Sequence, residues 1–158
     1  MRVPQLFLDL DGVLANFDDG YRELFGALPD RNGPEPPDFW DKISGHGSFF
    51  ASLQPMPDAM ELWSAAHELH PKPIILTGVP KEVPDAGIQK RAWVTHHFGA
   101  DAHVITCPSA HKRKHGKPGD VLVDDWPKYQ HLWEKMGGIF VLHTSAADSI
   151  STLRGLFK

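Results

Sequence analysis

The sequence has a single cysteine, Cys107, among 158 residues. That excludes an intrachain disulfide and matches a reducing compartment, so the expectation is a cytoplasmic protein. It also lacks a long apolar run. The apolar stretch near the N-terminus meets Asp9 and Asp11 well short of the ~7–15 residues of a secretory signal core, and no later stretch reaches membrane-spanning length. An excess of positive charge is missing too, with 16 Lys and Arg against 20 Asp and Glu and a net charge of −4. Nucleic acid and anionic membranes are therefore not expected partners. There is no internal repeat and no low-complexity tract. The length fits one domain with a modest insertion.

What is present centres on QLFLDLDGVLANFD, residues 5–18. Leu6, Phe7 and Leu8 read as a buried parallel strand, and the acids Asp9 and Asp11 follow at once. Unpaired buried carboxylates are heavily penalised, which puts these two at the strand's carboxyl end, where open α/β sheets place ligand sites. The two-residue period points both acids to one side, leaves Leu10 to pack the other way, and lets Gly12 turn the chain.

Strand candidates then disappear across residues 15–72. Phe17, Tyr21, Leu24, Phe25 and Leu28 have helical spacing, with Asp18 or Asp19 as N-cap. Residues 27–38 are proline-rich and irregular, and a short helix over 38–44 carries Phe39 and Trp40. Pro57 and Asp58 open an amphipathic helix with Ala59, Leu62, Trp63, Ala66 and Leu69 on one face. From residue 73 strands (73–77, 102–106, 120–123, 139–142) alternate with helices (85–98, from Pro127, 146–157), the pattern of βαβ units and a parallel sheet. The basic segment His111–Pro118 reads as a loop. The block 17–72 enters directly after the first strand, so it would hang over the carboxyl edge as a lid, leaving 1–16 and 73–158 as the core.

Three strands end in polar groups at that edge: Asp9 and Asp11, then Thr77 and Gly78, then Asp124 and Asp125. HKRKHGK, with Lys112, Arg113, Lys114 and Lys117, precedes the last pair. Alone, each has an ordinary explanation as a turn, a helix cap or a solvated face. Together their chemistry closes. Clustered carboxylates repel unless a divalent cation neutralises them, and oxygen ligands suit Mg²⁺. A hydroxyl, an N–H after a glycine turn and a lysine suit a phosphate dianion, which a carboxylate can then attack.

DLDGVLANF, LTG, the basic loop and VLVDDW resemble, in order and spacing, the four motifs of the haloacid dehalogenase superfamily of phosphatases. SFFASLQPMP, KRAWVTHHFG and a lysine ten residues before an acid pair resemble its 5'(3')-deoxyribonucleotidase family, whereas residues 19–47 match poorly. The resemblance implies a five-stranded parallel sheet of order 3-2-1-4-5, helices on both faces, and a small helical C1-type cap after strand one. It implies Asp9 as nucleophile and Asp11 as acid and base. Mg²⁺ would be held by Asp9, the carbonyl of Asp11 and Asp125, with Asp124 orienting groups around it. Thr77, Gly78 and Lys114 would bind phosphate, Lys114 being favoured over Lys117 and Lys112 because it lies ten residues before Asp124.

In the cap, Phe17, Phe49 and Phe50 are the candidates to line a substrate pocket, as aromatic faces can stack a base. Lys90 and Arg91 match the segment ahead of AWV, where one of them would approach phosphate, although a cation on a helix surface is the simpler interpretation. The ten histidines show no convincing metal spacing. The expected activity is an Mg²⁺-dependent phosphomonoesterase working through an aspartyl-phosphate on a nucleoside monophosphate. The rivals are a phosphatase or phosphotransferase of another small metabolite, and a non-catalytic binding module using HKRKHGK. The implied partner is a small phosphate ester, and the oligomeric state, a homodimer included, stays open.

Overall fold

The computed structural model describes residues 2–158. Five parallel strands form one sheet in the order β3-β2-β1-β4-β5, as expected: β1 (Leu6–Leu8), β2 (Ile74–Gly78), β3 (His103–Cys107), β4 (Val121–Asp124) and β5 (Ile139–Leu142). β1 is central, pairing Phe7 with Ile74 of β2 on one side and Leu122 of β4 on the other. The alternation along β1 divides the core. Leu6 and Leu8 join one apolar cluster with Ile75, Val121, Val123 and Val141, while Phe7 joins Leu76, Leu122 and Trp133 in the other. β1 and β4, covered on both faces, are buried along their length and apolar up to Asp124 rather than alternating.

The helices are α1 (Phe17–Phe25), α2 (Phe39–His46), α3 (Ala59–Leu69), α4 (Ala86–Phe98), α5 (Gln130–Lys135) and α6 (Ala146–Leu156). Asn16, rather than Asp18 or Asp19, caps α1, its side chain accepting from the Asp19 amide at 3.1 Å, and left-handed Gly26 ends the helix before Leu28. The segment expected to be a loop contains a 3₁₀ helix, Ser109–His115. The helix expected from Pro127 begins as a 3₁₀ turn, Pro127–Tyr129, before α5.

The insertion has a defined stem. Asn16 N–H donates to Gln54 O and Met56 N–H to Leu14 O, both at 2.7 Å, and Ala15 bridges to Pro55. Beyond the stem α3 packs against α6, and its Leu62, Trp63 and Ala66 belong to the larger core cluster. α1, α2 and the turns up to Gln54 follow the first crossing of the stem, and α3 follows the second and packs on α6. Asp58 strengthens this attachment by accepting from the Ala146 amide at the start of α6, 2.8 Å away.

α4 ties the far side of the cap to the core. Its buried residues Ala86, Gln89, Lys90, Trp93 and Val94 recur at helical spacing. Gln89 Oε1 accepts from the amides of Phe50 and Ala51, and Trp93 Nε1–H donates to Leu53 O at 2.7 Å. Replacing Trp93 by Phe keeps most of the apolar volume and leaves the Leu53 carbonyl without this partner. Trp93→Phe should lower unfolding free energy by about 1–3 kcal/mol, measured by chemical denaturation, and an unchanged midpoint would show that the bond is dispensable.

Candidate active site

The tight chain reversal after β1 starts the site. Leu10 O accepts from the amides of Leu14 and Ala15 at 2.8 and 2.9 Å, folding residues 10–15 into a compact loop. Gly12 sits at φ +80°, and a Cβ there would fall on the Asp125 carboxylate. Glycine is thus required by both backbone conformation and clearance.

Asp9 lies just beyond β1, nearly buried, with its amide donating to Val123 O at 2.8 Å. Its Oδ1 accepts from Lys112 Nζ at 2.8 Å, and the same ammonium reaches Asp124 Oδ2 at 3.0 Å. The other Asp124 oxygen accepts from the Trp126 amide at 3.0 Å. Asp9, Asp124 and Asp125 each offer an oxygen within 4.8 Å of the others, the one such acid group found among the described residues. Asp9 and the acid pair that ends β4 therefore meet at one point.

The lysine that faces the acids is Lys112. Lys114, the expected choice, is exposed, as is Lys117. The reason is local: a 3₁₀ helix has three residues per turn, which puts Ser109 and Lys112 on one side and rotates Lys114 away. Ser109 packs so closely on Gly78 that a Cβ there would meet its side chain and backbone, so Gly78 is what lets this turn approach β2. Spacing counted to the acid pair could not register that rotation.

Lys90 also belongs to the site rather than to a helix surface. Its Nζ lies 2.7 Å from Asp11 Oδ2, 3.2 Å from Thr77 Oγ1 and 2.6 Å from Gly78 O, beneath the Phe50 ring. The i, i+3, i+4, i+7 register of Ala86, Gln89, Lys90 and Trp93 was the available signal. Arg91, its neighbour, instead bonds Val104 O and Thr106 Oγ1. Thr77 is fully buried, and Asp11 Oδ1 is buried without a hydrogen-bond partner.

The cap aromatics differ from the expected pocket. Phe49 and Phe50 are buried, packed edge-on against each other, and Phe49 also meets Phe17 edge-on. Phe17, half-buried, contacts Tyr21 as well. These rings are packed into the larger core cluster, which runs on to Leu6 and Leu8 of β1, so Phe49 and Phe50 present no open face for a base.

The electrostatics indicate what the site fits. Among the described residues, Asp9, Asp11, Asp124 and Asp125 face the ammonium groups of Lys90 and Lys112 and, across 3.8 Å, the exposed guanidinium of Arg31, so the acids outnumber their cations. Burial, then the charge of Asp124, pushes Asp9 up to about 7 despite Lys112. Burial, then repulsion from Asp9 and Asp124, raises Asp125 to about 8, partly offset by Arg31. Burial alone would lower Lys112, but Asp9 and Asp124 outweigh it and hold the ammonium above its usual range. A divalent cation among Asp9, Asp124 and Asp125 would cancel the excess, and their all-oxygen donor set suits a hard ion.

Comparison with known proteins follows the same lines. The profile of a family described as 5' nucleotidase, deoxy (pyrimidine), cytosolic type C protein matches residues 2–150. The mitochondrial 5'(3')-deoxyribonucleotidase of Mus musculus is 28% identical over 155 residues, covering 80% of this chain and 66% of that protein. A putative 5'(3')-deoxyribonucleotidase of Vibrio phage KVP40 is 27% identical over 131 residues, covering 79% and 68%. The chain thus spans about two thirds of the length of these relatives. Among solved structures, a hydrolase from Streptococcus pneumoniae aligns with TM-score 0.52 at 12% identity, covering 98% of this chain and 100% of that one. A HAD family hydrolase from Deinococcus radiodurans, with bound phosphate and sodium, aligns with TM-score 0.53 at 15% identity, covering 94% and 87%. At these identities the structures share the fold.

The raised carboxyls set the sign of a pH effect. Asp9 and Asp125 bind protons more tightly folded than unfolded, so without metal their contribution favours the fold at low pH and is lost as pH rises through 7 to 8. A cation that replaces those protons recovers the loss. Magnesium should therefore raise Tm, relative to chelator, more at pH 8 than at pH 6; an equal or absent increment would show that the acids do not share an ion.

Proposed function

Because the chain belongs to the 5' nucleotidase, deoxy (pyrimidine), cytosolic type C protein family, we propose that it is an Mg²⁺-dependent phosphomonoesterase working through an aspartyl-phosphate, with nucleoside monophosphates as first substrate class. One observation carries this reading: Asp9 is clustered with Asp124 and Asp125 and joined to Lys112, at the edge where Lys90 joins Asp11 to Thr77. The bound phosphate in the Deinococcus hydrolase is consistent with such a site.

Asp9 attacks phosphorus, and the bond from phosphorus to the leaving oxygen breaks as Asp11 gives that oxygen a proton. Asp11 then takes a proton from water, whose oxygen attacks phosphorus and releases Asp9 and inorganic phosphate. Thr77 Oγ1 and the Gly78 amide donate to the phosphoryl oxygens. Lys112, already bridging Asp9 and Asp124, supplies positive charge where the phosphoryl group arrives, and Asp124 keeps it oriented. Lys90 fixes the Asp11 carboxylate. Asp9, the Asp11 carbonyl and Asp125 would hold Mg²⁺, which when bound neutralises charge on the phosphoryl oxygens.

A second substrate class has its own support. With Phe49 and Phe50 buried, the leading candidates for stacking a base are committed to packing, which favours including sugar phosphates and other small esters. A phosphate-ester panel with Mg²⁺ and with chelator tests the reading: deoxynucleotides should be hydrolysed best, and chelator should stop turnover. A chelator-insensitive protein, or one inactive on every ester, would contradict it.

Two substitutions test the roles. Asp9→Asn should reduce kcat by roughly 10³-fold or more with the fold retained, and near wild-type turnover would remove Asp9 as nucleophile. Lys112→Met should cost roughly 10²-fold or more in kcat/KM while Lys114→Met stays close to wild type. The reverse ranking would restore Lys114.

A further inference from the structure

The poorly matching part of the cap contributes a charged group to the mouth of the site. Arg31 lies on the segment between α1 and α2, in a turn where Asp30 Oδ1 accepts from the Asn32 amide at 3.0 Å. Its Nη2 donates to Asp18 Oδ1 at 2.8 Å and stands 3.8 Å from Asp125 Oδ2. The first is a charge-assisted hydrogen bond. The second is too long for one and is an attraction across a gap. The side chain is 49% exposed, whereas Asp125 is 16% exposed.

We propose that Arg31 is a specificity-determining residue whose guanidinium binds an anionic oxygen of the substrate, an inference that rests on the phosphomonoesterase reading above. A guanidinium has five N–H donors in a fixed fork, and both contacts recorded among the described residues use one nitrogen. The remaining donors are open to an incoming anion. Asp18 tethers the group, so little ordering is required when that anion arrives. When Asp125 is ionised it attracts Arg31 across the 3.8 Å gap. Once a cation engages Asp125, that attraction is spent and the cation repels the guanidinium. A substrate anion beside the cation is then the natural partner.

The packing of the cap agrees. Phe49 and Phe50, which would have read a base by stacking, are buried in the larger core cluster. The cap side chain that reaches an acid of the site is Arg31, so this cap reads charge at the mouth. The anion has two possible sources, the transferable phosphoryl group itself or an acidic group on the leaving side, and the same fork chemistry serves both.

Calorimetric titration of inorganic phosphate in the presence of Mg²⁺, on wild type, Arg31→Met and Arg31→Lys, separates them when paired with kinetics on esters with neutral or acidic leaving groups. If the phosphoryl group is the partner, Arg31→Met weakens inorganic phosphate binding by roughly 10-fold or more and raises KM for every ester, with a smaller change in kcat. If the leaving group is the partner, phosphate binding is unchanged and KM rises only for acidic leaving groups. Partial recovery in Arg31→Lys supports either source. Equal phosphate affinity and equal KM values for every ester in wild type and Arg31→Met overturn the proposal. A wild type that binds phosphate but hydrolyses no ester refutes the phosphatase reading instead, and the titration still decides Arg31.

Discussion

Repulsion among carboxylates is the constraint on which the site depends. Asp9, Asp124 and Asp125 crowd together at the carboxyl edge of β1 and β4. Lys112, itself buried, holds two of these acids at once. An arrangement of this kind is costly in a protein interior unless every charge is answered. Lys90, Lys112 and, at longer range, Arg31 leave the four acids, counting Asp11, more numerous than their cations. Burial first, and then the charge of the neighbouring acids, keeps protons on Asp9 and Asp125 near neutrality in the absence of an ion.

The fold makes this crowding tolerable. β1 runs through the middle of a parallel sheet, so the segments ending in Asp9, Thr77 and Asp124 finish at one edge and share a register. α4 then reaches across that edge with a face that is partly polar. Gln89 holds the turn around Phe50, Lys90 spans Asp11 and Thr77, and Trp93 fastens Leu53. One helix therefore positions both a charged group of the site and the base of the cap. Disturbing its packing would reach the chemistry as well as stability.

The strands were legible in the sequence because short apolar runs punctuated by glycine and acids carry a strong local signal, whereas their order, which the structure bears out, came from the family resemblance. The convergence of Asp9 and Asp125 followed from that topology. Lys112 was not legible, since HKRKHGK offers four basic side chains and only the three-residue turn of the 3₁₀ helix selects among them. Lys90 was misjudged for a different reason: a charged residue on a helix looks solvent-facing until its register with Ala86 and Trp93 is weighed. Phe49 and Phe50 show the limit of composition, because aromatic residues in a small insertion are needed first for the core it shares with the sheet. The apolar face of α3 does not reveal from sequence whether it meets the lid or α6.

A crystal structure of the protein with Mg²⁺ and beryllium fluoride, a mimic of a phosphoryl group, tests the central claim most directly. The account predicts one cation shared by Asp9 and Asp125, with the fluoride complex bonded to a carboxylate oxygen of Asp9 and contacted by Lys112. A cation bound elsewhere, or a mimic that leaves Asp9 untouched, would contradict it.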